Sequence, residues 1–230
     1  MPVVSLANPK GGSGKTTAAL LLASELGAKG ARVTVIDADP EHWISAWGAL
    51  PGKPETVDVT NNVSEATIMD QIDEAAARSQ FVIVDLEGTA NLMVAHAISL
   101  SDLVIVPVQG SSMDAKGAAK TVSLIRRQER ATRRAIPFSV LLTRTGAAIR
   151  TRALRNVQDQ LAQAGVDMFA VNLVERAAFK ELMDFGGLLG DLDPQLVTNI
   201  ENAVINARAF VGEVITKLQA MPTAESAEVA

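Results

Sequence analysis

Lys10-Gly11-Gly12-Ser13-Gly14-Lys15-Thr16-Thr17 is the string in this 230-residue chain best equipped for chemistry. Glycines let backbone N–H groups close around phosphate oxygens with no Cβ in the way. A helix opening at the same point adds partial positive charge from its unpaired N–H groups. A lysine at the end of such a loop bridges the β- and γ-phosphates of a nucleotide, and the hydroxyl after it can ligate Mg²⁺. Those places fall to Lys15 and Thr16, with Gly11, Gly12, Ser13, Gly14 and Thr17 completing the cradle. The string follows an apolar run at residues 3–7 and opens a helix-like stretch, the context a phosphate loop requires. Pro9 stands where the general pattern has its first glycine, and Lys10 adds a second lysine to the cradle.

Two further segments end apolar runs with acids. Val33-Thr34-Val35-Ile36-Asp37-Ala38-Asp39-Pro40 places carboxylates two residues apart at a strand end, so one or both can face a magnesium ion and an attacking water. Phe81-Val82-Ile83-Val84-Asp85 is four apolar residues capped by an acid, the pattern that holds Mg²⁺ through water. Glu87 follows it as an unexpected second acid near the γ-phosphate; a solvent-facing side chain is preferred to one that tunes hydrolysis.

The elements that must position these groups are legible as alternation. Apolar runs at 3–7, 32–37, 81–85, 103–108, 138–143 and 168–173 are separated by helix-like stretches at 16–29, 64–78, 91–100, 116–132, 149–164 and 175–185. Near-continuous apolar strands between helices predict one α/β domain, a doubly wound and mostly parallel sheet with helices on both faces. Residues 55–60 suit an edge strand. A last helix is expected over 194–221, its apolar face of Leu196, Ile200, Val204, Ala207, Val211, Ile215 and Leu218 docked on the body or on a second subunit. Trp43 and Trp47, four apart on a probable helix, are read as packing residues. The domain is set at 1–220, with 221–230 as a flexible acidic tail.

The doubled-lysine string resembles the deviant Walker A motif of the ParA/MinD family of ATPases, and the resemblance runs from residue 3 to about 190. It implies that Lys10 reaches the nucleotide of a partner subunit, that Asp39 orients or deprotonates the water, and that Asp37 supports the Mg²⁺ shell. The string Asp-Ala-Asp-Pro is similar to that family's first switch. Ser101 to Val108, followed by Met113-Asp114, resembles the segment that leads a strand into a helix near the dimer interface. Thr143-Arg144 stands where the family's nucleotide base lies, which nominates Arg144. Small plasmid-type ParA proteins, which lack a preceding DNA-binding domain, are the most similar branch; VirC-type ATPases also resemble the chain, especially past residue 175.

Composition narrows the choice. The absence of cysteine excludes disulfide scaffolds, Cys-ligated zinc, iron–sulfur clusters and thiol nucleophiles, and with only His42 and His96 a multi-His centre is not expected. The reductase and cluster-assembly branches of the fold need cysteines. No apolar run reaches the roughly 20 residues of a membrane span, the N-terminus does not read as a signal peptide, and the last helix lacks the basic face of a membrane anchor. A cytoplasmic protein is expected. The net charge is −5, yet residues 126–155 carry +8. Their arginines are Arg126, Arg127, Arg130, Arg133, Arg134, Arg144, Arg150, Arg152 and Arg155, against one acid, Glu129. Such a strip suits contact with a phosphate backbone without reading sequence, or a solvated face paired with the acidic remainder.

Together these readings set the expectation of an ATPase that dimerises on Mg-ATP, holds non-specific DNA through the arginine strip, associates with the nucleoid when ATP-bound, and is stimulated by a centromere-binding or other adaptor protein. The alternative keeps the ATPase and changes the cargo to a conjugation or other protein complex. A small-molecule kinase or ligase would need an acceptor pocket, which no motif marks.

Overall fold

The computed structural model describes residues 1–89, 91–146 and 152–221, apart from the side chains of Ser112, Met113 and Ala115. Arg150 and the tail beyond Met221 lie outside the described residues. Among the described residues six strands are all parallel: β1 (Val3–Leu6), β2 (Val33–Ala38), β3 (Val57–Thr60), β4 (Phe81–Leu86), β5 (Leu103–Val108) and β6 (Phe138–Leu142). Their spatial order is β3-β2-β4-β1-β5-β6. The chain winds both ways from the centre, so the carboxyl ends of β1, β2 and β4 flank one crevice. β3 is the edge strand expected at 55–60.

Successive side chains of a strand point to opposite faces, and two cores result. Val4 and Leu6 face one core, packed by α1 (Lys15–Ala28), α2 (Trp43–Gly48), α7 (Ala177–Phe185) and α8 (Ile200–Gln219). Val3 and Ala7 face the other, packed by α3 (Ile68–Arg78), α4 (Leu92–Leu100), α5 (Ser112–Thr132) and α6 (Arg152–Gln163). α1 is buried almost all round, which its run of alanines and leucines allows.

Two expectations need correction. Residues 168–173 do not form a strand; they make isolated bridges, Val140 to Met168 and, just beyond, Thr145 to Val174. The outward backbone is satisfied by α8 instead: Ala170 and Val171 N–H donate to the Glu213 carboxylate at 2.7 and 2.8 Å, and Val174 N–H donates to Asn206 Oδ1 at 2.9 Å. Side chains that take these donors remove the need for a seventh strand. The last helix starts at Ile200, not 194, because Asp193-Pro194-Gln195 forms a turn in which Asp193 Oδ1 accepts the Gln195 N–H. α8 packs on α1, so it belongs to the body of the subunit, and Leu196 is left outside the helix.

Trp47 is fully buried and Trp43 is half exposed, so only one tryptophan is a packing residue. Trp47 Nε1 donates to Gly187 O at 3.3 Å. The neighbouring Gly186 has φ 78°, and a Cβ there would lie 2.6 Å from Leu50 Cβ and 2.9 Å from Pro51 O. Gly186→Ala should therefore destabilise the fold by about 2–4 kcal/mol. Urea denaturation would check this; a loss under 1 kcal/mol would show that the 50–52 loop yields.

Candidate active site

The loop from Asn8 to Lys15 is tied down at both ends. Asn8 Nδ2 donates to Pro107 O at 2.6 Å, and Asn8 Oδ1 accepts the Lys10 N–H at 2.9 Å. At the other end Thr143 Oγ1 donates to Ser13 O at 2.6 Å. Gly14 caps α1 in the left-handed region at φ 97°, where a Cβ would press on Thr143 at 3.2 Å. Gly11 and Gly12 face open space. The N–H groups from Gly11 into the first turn of α1 are thus left to face an anion. Gly11 to Thr17, with Asp39, Trp43, Gly88, Arg144 and Lys180, line a cleft of about 490 Å³, large enough for a nucleotide. A narrower recess of about 50 Å³ beside it is lined by Thr143, Arg144, Val174 and Arg176, so Arg144 borders both spaces.

The acids converge as the strand ends require. Register places Asp37 beside Asp85 across β2 and β4, and Leu6 of β1 on the other side of Asp85. Both aspartates are fully buried. Asp37 Oδ2 accepts from Ser45 N–H at 2.8 Å and from Ser45 Oγ at 2.7 Å, while its Oδ1 has no partner. Neither oxygen of Asp85 makes a hydrogen bond of good geometry. Burial pushes the Asp85 carboxyl up to about 7; the nearby Thr16 hydroxyl and Lys15 ammonium offset part of that, and Asp37 adds to it. Buried acceptors without partners are costly, and a hard dication beside them would satisfy them and hold Asp85 ionised. Thr16, Asp37 and Asp85 therefore fit Mg²⁺. Among the described residues no group of three or more His, Asp or Glu side chains is arranged for a metal, as suits an ion that takes most of its ligands from phosphates and water. Asp39 is only partly buried; its Oδ1 accepts the Glu41 N–H at 3.1 Å.

Lys10 is engaged within its own chain. Its Nζ donates to Asp114 Oδ1 at 2.6 Å, and Asp114 also closes the capping box of α5 with Ser111. Burial opposes ionisation of Asp114, but the Lys10 and Ser111 hydrogen bonds outweigh it and hold the carboxyl below its ordinary value. A depressed carboxylate stabilises the fold above its unfolded pKa of about 3.9 and loses that contribution as pH falls through the folded value. Asp114→Asn should cost about 1–2 kcal/mol at pH 7, and the gap should narrow as pH falls below about 3.9. Denaturation curves above and below that pH test this, and equal gaps would contradict it.

Glu87 does not point freely to solvent. Its Oε1 accepts from Thr89 Oγ1 and Asn91 Nδ2, which ties Glu87 to the residue that caps α4. The arginine strip divides. Arg126 donates to Glu129 at 2.8 Å and stacks over Phe138, and Arg134 donates to Ser101 O. Arg127, Arg130, Arg133, Arg152 and Arg155 are exposed on α5, its C-terminal end, and α6, which packs beside it. Arg127 also shares a groove of about 390 Å³ with Lys120, Glu87 and Gly88.

Asn8, Ser45 and Gly88 carry no role in the sequence motifs, and Asp114 and Thr143 enter only as members of strings that resemble the family, without the contacts they make here. Their types are common, and what selects them is contact with distant residues.

The chain matches the VirC1 protein family over residues 1–212. It belongs to the VirC1 family. That places it among the ParA/MinD proteins: a ParA protein of Rhizobium radiobacter is 37% identical over 95% of this chain and 98% of its own. A VirC1 protein of Rhizobium rhizogenes is 26% identical, covering 82% of this chain and 83% of its own. In fold, an ATP complex of a Cyanothece McdA variant superposes with a TM-score of 0.75 at 14% identity, over 97% of this chain and 98% of that one. The MinD cell division protein of Aquifex aeolicus gives 0.69 at 13% identity, over 96% and 99%. The VirC1-family chain is thus a P-loop protein of the partition and positioning group, and no helix among its described residues is long and apolar enough to cross a membrane.

Proposed function

We propose that this chain hydrolyses Mg-ATP, that ATP joins two copies, and that the dimer holds DNA non-specifically as a partition or positioning device. The observation that carries the reading is a phosphate cradle with a buried lysine, Lys15, facing a buried pair of incompletely bonded aspartates, Asp37 and Asp85, at adjoining strand ends. Mg²⁺ held by Thr16 and the two aspartates would neutralise phosphate charge. Lys15 binds the β- and γ-phosphates, the loop N–H groups orient them, and Asp39 at the cleft wall accepts or directs the water proton. Lys10 leaves Asp114 and turns to the partner copy's nucleotide, so dimerisation exchanges one ion pair for another. Arg144 lies against the base.

Arg127, Arg130, Arg133, Arg152 and Arg155 supply the phosphate contacts, and pairing two copies doubles them. The test is binding of the protein to a long non-specific duplex with ATP, with ADP and with neither, at 50 and 200 mM salt. ATP-dependent binding should fall at least tenfold at the higher salt and vanish in Arg127→Glu/Arg130→Glu/Arg133→Glu. An adaptor protein would stimulate hydrolysis and release the dimer. The match to the VirC1 family favours a second reading, a conjugation or other protein-complex cargo. Dimerisation on ATP without DNA binding in any state would select it.

A further inference from the structure

Beyond the residues of α7 that line the nucleotide cleft, the chain enters a second groove, of about 330 Å³. Its floor is backbone on backbone. Gly186 and Gly187 cross the Pro51-Gly52 turn so closely that a Cβ on Gly52 would lie 3.0 Å from Gly187 Cα, and Trp47 holds Gly187 by its hydrogen bond. That floor fixes Phe185 and Leu196 facing outward, 58% and 71% exposed. They are two of the seven large apolar side chains so exposed among the described residues, and they share one groove. Folding did not require this arrangement, since Leu196 lies outside α8 and covers no core.

The charge around the groove has one sign. Asp191 and Asp193 line it and are exposed, and the exposed Asp184, next to Phe185 in the chain, lines the neighbouring nucleotide cleft. No lysine or arginine lines it. Lys53, next to Gly52, turns its Nζ to Pro54 O and Val57 O, and Lys180 pairs with Glu175 at 3.6 Å. An apolar slot with an uncompensated acidic rim repels DNA, anionic lipid and the acidic tail of this chain alike. It matches an apolar side chain flanked by cations.

We infer that this groove docks a basic amphipathic segment of a partner protein, with one aliphatic or aromatic side chain between Phe185 and Leu196 and lysines or arginines toward Asp184, Asp191 and Asp193. The inference does not depend on nucleotide binding. It places a protein-recognition surface apart from the arginine-bearing face.

A 14-residue amphipathic Leu/Lys peptide and its Leu/Glu counterpart serve as probes, titrated by calorimetry against the full chain at 50 and 300 mM salt. The Leu/Lys peptide should bind at least tenfold more tightly. Leu196→Ser should weaken it about tenfold, and Asp191→Asn/Asp193→Asn about fivefold with a flatter salt dependence. Glu65→Gln/Asp70→Asn, exposed acids elsewhere, should leave it unchanged and so separates the groove from general attraction to an acidic protein. All of these side chains are exposed, and unchanged melting curves confirm that the variants are folded. Equal binding of both peptides, binding that survives Leu196→Ser, or no binding at all overturns the inference. So does self-association of the free chain that Leu196→Ser abolishes, which would make the groove an interface between copies.

Discussion

Lys15→Gln should lower ATP affinity by at least about 100-fold, because it removes charge-assisted hydrogen bonds to two phosphate groups, each worth roughly 1.5–3 kcal/mol. Lys15 is 5% exposed at the start of α1, and its ammonium is close enough to Asp85 to lower that carboxyl. It has no ion-pair partner within 4 Å among the described residues, which leaves its charge available to the proposed phosphates. Glutamine ends one atom short of the ammonium position, keeps donor capacity and carries no charge. The variant should fold, since burying a neutral amide is easier than burying an ammonium. The readout is the ATP-induced rise in melting temperature, alongside calorimetric affinity with Mg²⁺. Loss of the rise with an unchanged melting point of the free chain supports the assignment. Tight ATP binding by the variant would remove Lys15 from the phosphate site.

The same residues show what a sequence can reveal. The cradle is legible because backbone geometry limits it to glycines, and Asp85 is legible because four apolar residues before an acid mark a buried strand reaching the crevice. Parallel architecture follows from the alternation of runs. What escapes is long-range completion. Asn8 bonds across 99 residues to Pro107, Lys10 across 104 to Asp114, and Thr143 across 130 to Ser13. No local pattern marks an ordinary Asn, Asp or Thr for such work. Residues 168–173 have strand composition, yet Glu213 and Asn206 on α8 take the donors that a neighbouring strand would have used. The count of arginines at 126–155 is visible, but which of them are engaged depends on Glu129, Phe138 and the Ser101 carbonyl. Trp43 and Trp47 are identical in type and four apart; the packing of α2 alone decides that one is buried and the other borders the cleft.

Asp39→Ala should retain ATP binding and ATP-dependent pairing while turnover falls by about 10²- to 10⁴-fold, the range for loss of a general base. The geometry separates this acid from its neighbours. Asp85 is sealed beneath the cleft beside Thr16 and is suited to a metal ion, not to a proton in transit. Asp37 is equally buried and has one oxygen committed to Ser45. Asp39, two residues past Asp37, has left the strand, is partly exposed and lines the cleft opposite the phosphate loop residues. Its bond to the Glu41 N–H orients it without burying it. Asp39→Asn distinguishes the two forms of the role: an amide still positions water but cannot take its proton. Turnover lost equally in both variants indicates proton acceptance, and partial recovery in Asp39→Asn indicates positioning. Glu41 borders the same cleft and is the competing candidate. Near-normal turnover in Asp39→Ala together with loss in Glu41→Gln would transfer the role to Glu41, because a carboxylate two residues further along the same loop can reach the space that Asp39 vacates.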